Sequence, residues 1–261
     1  MSPTTGLRVA LEDVATLGPF FAVTADPSEQ VDPTWTPWRD FYRDRSAMSD
    51  RVELVARALA TSDRRVAASI ALQGLAARLV SPVIAVAAVH RIVPRFTPES
   101  LHWRPAVSGP WPMWESDPGG GATGPAGTAV RAGSPGPLGE AGLADGVADV
   151  LVEPHLAALV QVTREVESVS GRVLRGNVAS AASAAGALVA RARPEAARAA
   201  SVIVSRLLET SLLADAGHFE AGWSFRRRSC CLYYRIPGGG TCGDCVLAQP
   251  RARARAGRAR Q

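Results

Sequence analysis

The sequence predicts a mainly α-helical protein with a small β hairpin near residues 100–115 and a C-terminal cysteine-rich segment. Three observations carry this. Apolar residues make up 47% of the chain and aromatics only 6%, the balance of an alanine-rich helical core. Apolar positions recur at intervals of three and four through the longer segments. All four cysteines lie within sixteen positions, from Cys230 to Cys245.

Residues 1–48 read as an extended N-terminal segment, punctuated by Pro27, Pro33 and Pro37 beside Trp35 and Trp38. Residues 49–116 form a first helical half with short strands. Val52, Val55 and Leu59 share a helix face within Ser49 to Thr61, and a second helix starts near Ser62-Asp63. It runs through Val66, Ile70, Leu75 and Leu79, is broken or restarted at Ser81-Pro82, and ends before Pro94. Leu101-His102-Trp103-Arg104-Pro105 and Gly109-Pro110-Trp111-Pro112-Met113-Trp114 fit a small hairpin, because the prolines deny a helix there.

Residues 117–140 are nearly all Gly, Pro, Ala, Ser and Thr, and read as a flexible loop. A second helical half over 141–222 holds a helix from about Leu143 to Ser168 that restarts near Pro154. Two more follow, Arg172 to Arg193 and Pro194 to Ala214. The run Val178 to Ala187 has nothing larger than valine, which suits close packing in the core. Residues 223–250 are the cysteine segment, and 251–261 an Arg-rich disordered tail.

All 29 basic residues are arginine, and five of them (Arg251, Arg253, Arg255, Arg258, Arg260) fall in the last eleven positions. The rest of the chain is balanced, with 24 arginines against 24 acids. A nucleic-acid interface needs a basic face within the fold, so nucleic acid is not expected as a partner. The start lacks the charged-then-apolar order of a signal peptide. The longest apolar stretch, Leu79 to Val89, is shorter than the about 20 residues of a membrane span. A soluble, cytoplasmic protein is expected, in which clustered thiols bind metal more often than they form disulfides.

Four thiolates make a tetrahedral set for zinc or two ligand pairs for a [2Fe–2S] cluster. Zinc modules present two short-spaced pairs, and only Cys242-x-x-Cys245 has that form. Cys230 and Cys231 are adjacent, and neighbouring side chains diverge, which suits two irons better than one ion. Gly238, Gly239, Gly240 and Gly243 leave backbone amides room to reach the sulfurs. His90, His102, His155 and His218 are scattered and read as surface or satisfied core residues. No glycine-rich dinucleotide fingerprint stands between a strand and a helix.

The pattern Cys-Cys-x(10)-Cys-x-x-Cys, flanked by Arg226-Arg227-Arg228-Ser229 and Leu232-Tyr233-Tyr234, resembles the C-terminus of FhuF-type ferric-siderophore reductases. Weaker likeness extends upstream through Leu79-Val80-Ser81-Pro82-Val83, Leu101 to Pro105, Glu153-Pro154-His155-Leu156 and Gly176-Asn177-Val178-Ala179-Ser180. The resemblance implies one [2Fe–2S] cluster held by Cys230, Cys231, Cys242 and Cys245. It implies a ferric siderophore as substrate, of hydroxamate type, and an external electron donor, a ferredoxin or a flavoprotein reductase. Peripheral contact with a siderophore importer is compatible with it.

One-electron reduction needs no general acid, base or nucleophile, so no catalytic side chain is assigned. Arg226, Arg227, Arg228, Trp223 and Tyr233 are the nearest candidates for substrate contact. Asp244 tunes the cluster by its charge or simply forms the turn beside Gly243. Two other functions fit the residues alone: a structural-zinc protein without enzymatic activity, and an iron–sulfur redox sensor or electron carrier.

Overall fold

The computed structural model describes residues 3–119 and 139–247. Most of the 117–140 loop and the whole Arg-rich tail lie outside the described residues.

Helix α4 (Arg64–His90) is the axis of the molecule. Asp63 caps it by accepting the Arg65 N–H, and Arg91 ends it in the left-handed region at φ 59°. Its 27 residues run unbroken through Pro82, where a break was expected. Proline removes one backbone hydrogen bond, but α4 is apolar on nearly every side and packed all round, so tertiary burial carries the helix through it. Helices α7 (Gly171–Ala192), α3 (Arg45–Ala58), α8 (Ala197–Glu209), α1 (Pro3–Ala15) and α5 (Glu140–Leu151) surround it. The two helical halves therefore share one core. Helices α4 and α7 have the length and composition to cross a membrane, yet most of each is buried inside the protein.

The N-terminal segment is not extended throughout. Helix α1 buries Leu7, Ala10, Leu11 and Val14 at helical spacing, and α2 (Trp38–Arg43) seats Trp38 and Phe41 in the core. The hairpin exists as β2 (Leu101–Trp103) and β3 (Met113–Glu115), antiparallel with Trp103 opposite Met113. A third strand, β1 (Thr36–Pro37), joins on the far edge of β2. Two-residue strands give no alternation to detect in the sequence.

Pro154 marks the restart after α5. The chain widens into a π-helical turn over Val152–Ala157 and resumes as α6 (Ala158–Val166). The widened turn brings His155 into the core, where Nε2 lies 2.9 Å from the Phe96 carbonyl and Nδ1 2.8 Å from the Tyr42 hydroxyl. A carbonyl only accepts, so Nε2 carries the proton and Nδ1 accepts from Tyr42. This is a satisfied core histidine, held neutral because burial lowers its pKa to about 4.

Candidate metal centre

After α8 the chain forms a hairpin of β4 (Gly217–Phe219) and β5 (Phe225–Arg227). It straddles the expected boundary at residue 223. Gly217 makes it possible: a Cβ there would lie 2.5 Å from the Arg226 carbonyl oxygen, a backbone atom that has nowhere to go. Strand β5 leads directly into Cys230 and Cys231.

The adjacent cysteines part company. The Sγ atoms of Cys231 and Cys242 are 3.5 Å apart, while Cys230 has Cys245 as its thiol neighbour. Leu232, in the left-handed region at φ 69°, reverses the chain after the pair, an unusual conformation for a branched residue. That reversal lets the Leu232 N–H reach back to Cys230 Sγ at 3.3 Å. The Leu247 N–H bonds Cys245 Sγ at 3.3 Å, and the Tyr233 N–H bonds Cys231. Of the glycine amides expected in this role, that of Gly239 goes elsewhere, to the Ile236 carbonyl. The reason is steric: Gly239 packs onto the backbone of residues 233–236.

The thiols are unequal. Accepting the Cys242 thiol proton lowers Cys231 to about 6, and the same bond raises Cys242. Burial raises Cys230. Among the described residues, no three His, Cys, Asp or Glu side chains converge as ligands of one ion do. Two thiol pairs suit the donor arrangement of a two-iron cluster, with two sulfurs for each iron.

A buried polar chain fastens this loop to the helices. Arg227, 1% exposed, donates from Nε to Asp244 Oδ2 at 2.6 Å, from Nη2 to Ser180 Oγ at 2.8 Å, and from Nη1 to Asn177 Oδ1. Asn177 Nδ2 donates to the Ser69 carbonyl and hydroxyl oxygens at 2.7 and 2.8 Å, and Ser69 Oγ donates to the Cys231 carbonyl at 2.8 Å. Helices α4 and α7 thus hold the cysteine loop through buried side chains. Burial pushes the Asp244 carboxyl up, but the hydrogen bond and charge of Arg227 outweigh it, so its pKa is lowered.

Residues 227–247 match the family described as the FhuF 2Fe-2S C-terminal domain. The C-terminal segment is a FhuF-type [2Fe–2S] domain. Its cofactor is a single [2Fe–2S] cluster, which the paired thiols fit. No curated protein matches the chain.

The FhuF-type domain corrects part of the expected substrate surface. Arg227 cannot touch a substrate, because it is sealed under the loop and its donors are engaged. Arg226 pairs with Glu220 at 2.7 Å and donates to the Cys245 carbonyl at 2.8 Å. Trp223 lies against Gly186 of α7 and edge-on to Phe219. Arg228 is exposed and pairs with Asp215, and Tyr233 is half-buried beside the cysteines. Exposed Tyr234, Val246 and Leu247 complete the outer face of the domain. Sequence reasoning gave no role to Ser69, Asn177 or Ser180, although Gly176 to Ser180 carried part of the family resemblance.

Proposed function

We propose that the protein is a ferric-siderophore reductase acting on hydroxamate-type complexes in the cytoplasm. Cys230, Cys231, Cys242 and Cys245 hold the cluster, which supplies a one-electron store when bound. The reaction is Fe(III)-siderophore plus one electron giving Fe(II) and the siderophore, with a ferredoxin or flavoprotein reductase replacing the electron. Hard oxygen donors hold Fe(III) far more tightly than Fe(II), so reduction alone loosens the iron.

The observation that carries this reading is the FhuF-type domain at residues 227–247, with its four thiols in two pairs. The chain's own residues have positional tasks. Arg227 and Asn177 hold the loop, the N–H groups of Leu232, Tyr233 and Leu247 polarise three sulfurs, and Tyr233, Tyr234 and Arg228 face the approaching complex. No proton needs to move to the iron's ligands for the electron to pass.

The test is steady-state Fe(II) release from a ferric trihydroxamate, trapped by a ferrous chelator, with the as-isolated holoprotein and a chemical reductant. Release that depends on holoprotein and falls to background in Cys242→Ser supports the reading. Release equal to the protein-free rate overturns it.

A further inference from the structure

Two arginines on neighbouring helices line one cavity of about 280 Å³, together with Phe20, Gly74 and Trp111. Arg78 of α4 is 2% exposed and donates to four backbone carbonyls: Trp111 from Nε at 2.8 Å, Pro19 and Phe20 from Nη1 at 3.0 and 2.8 Å, and Ala22 from Nη2 at 2.8 Å. Those dipoles engage four of its five N–H donors but leave its charge. Arg51 of α3 lies with its guanidinium 5.2 Å from the Trp111 ring centre, and its buried Nε has no hydrogen-bond partner among the described residues.

No carboxylate of the described residues balances either one. All 24 acidic side chains of the sequence fall within the described residues, so no undescribed aspartate or glutamate can fill the gap. None of them forms an ion pair with Arg51 or Arg78, and none lines the cavity. Burial is the cause that lowers both guanidinium pKa values, Arg78 to about 10, so Arg78 remains charged at neutral pH. Burying the Arg78 cation without a counter-charge is costly, and the half-buried Arg51 brings a second positive charge to the same cavity.

We propose that this cavity binds a small oxyanion, a carboxylate or phosphate compound carrying two or more negative charges, clamped by Arg51 in the field of Arg78. The planar fork of Arg51 presents paired N–H groups to two oxygens at once. Trp111 holds that fork flat by cation–π contact. Gly74 leaves the floor open, since a Cβ there would lie 4.0 Å from Arg51 Nη2. The cysteine loop instead docks on α4 through Ser69 and α7, so the oxyanion site is separate from the metal centre and does not rest on the reductase reading.

Calorimetric titration of the full chain with citrate, and separately with inorganic phosphate, tests the proposal. Saturable binding of at least one is expected, weakening as salt rises, with at least tenfold loss in Arg51→Gln and none in Arg57→Gln, an exposed arginine of the same helix paired with Glu53. A preference for citrate assigns carboxylates, and a preference for phosphate assigns phosphoryl groups. Gly74→Asp keeps the test decisive if Arg51→Gln fails to fold: an internal carboxylate beside Arg51 should raise the melting temperature and abolish binding. Absence of binding by the wild type at millimolar anion, unchanged affinity in Arg51→Gln, or a lower melting temperature with intact binding in Gly74→Asp would overturn it.

Discussion

Arg227 Nε donates to Asp244 Oδ2 across 2.6 Å, and the pair sits under the cysteine loop with the arginine fully withdrawn from water. Asp244 lies between Cys242 and Cys245 in sequence, and Arg227 three residues before Cys230. The guanidinium favours the thiolate forms of both Cys231 and Cys242, while the Asp244 carboxylate opposes them. The same field acts on any added electron.

Arg227→Gln should therefore lower the reduction midpoint of the cluster, because a buried positive charge near it is lost. Asp244→Asn should raise it. Each shift is expected on the order of 60 mV, a tenfold change in a one-electron equilibrium. Dye-mediated potentiometry with EPR detection reads both. Shifts of the same sign would contradict the electrostatic role.

Asn177 should be a structural fastener of the loop. Asn177→Ala leaves Ser69 and Arg227 with buried groups unpaired, a loss of about 1–3 kcal/mol. Chemical denaturation of the holoprotein reads the stability, and bleaching of cluster absorbance under a chelator reads the retention. Both should weaken together. Stability lost with unchanged bleaching would separate Asn177 from the metal centre.

Gly186 gives a packing test away from the cysteines. A Cβ there would stand 2.6 Å from both the Trp223 ring and Val204. Gly186→Ala should cost about 1–3 kcal/mol by overpacking. Trp223→Leu in the same chain should recover part of that loss, a non-additivity visible in a double-mutant cycle of unfolding free energies.

Stability should also fall as pH rises through the range set by Glu115. Burial raises this carboxyl from 4.5 to about 7, against hydrogen bonds from the Asp117 N–H and the Ser100 hydroxyl. Between these values the unfolded chain has released a proton that the native state keeps, so the native state loses ground as pH rises. The full cost, on the order of 3 kcal/mol, is present above pH 7. Glu115→Gln should remove this slope and be the more stable protein at pH 8, as thermal melts at several pH values will show. His155 acts oppositely, costing stability as pH falls from 6.5 towards 4.

The helices from α3 onward were legible because their apolar spacing and caps are local: Asp63 before α4 and Pro194 before α8 mark real starts, whereas α1 and α2 fell in a segment read as extended. The continuity of α4 through Pro82 was not, since it depends on neighbours from both ends of the chain. At the metal centre, cysteine spacing suggested two irons because adjacent side chains diverge, and Cys230 and Cys231 do face different partners. The Arg227 network was hidden for a physical reason. Its members stand at positions 69, 177, 180, 227 and 244, and only the folded chain brings them together. Proximity to the cysteines in sequence made Arg227 look like a substrate contact, whereas its burial makes it part of the scaffold.

A single-turnover measurement tests the reductase most directly. Dithionite-reduced holoprotein, freed of excess reductant, is mixed anaerobically with a ferric trihydroxamate in a stopped-flow instrument while cluster absorbance and trapped Fe(II) are followed. Re-oxidation of the cluster with one Fe(II) formed per cluster is the expected result. A cluster that stays reduced in the presence of the ferric complex, yet is promptly re-oxidised by ferricyanide, would contradict it.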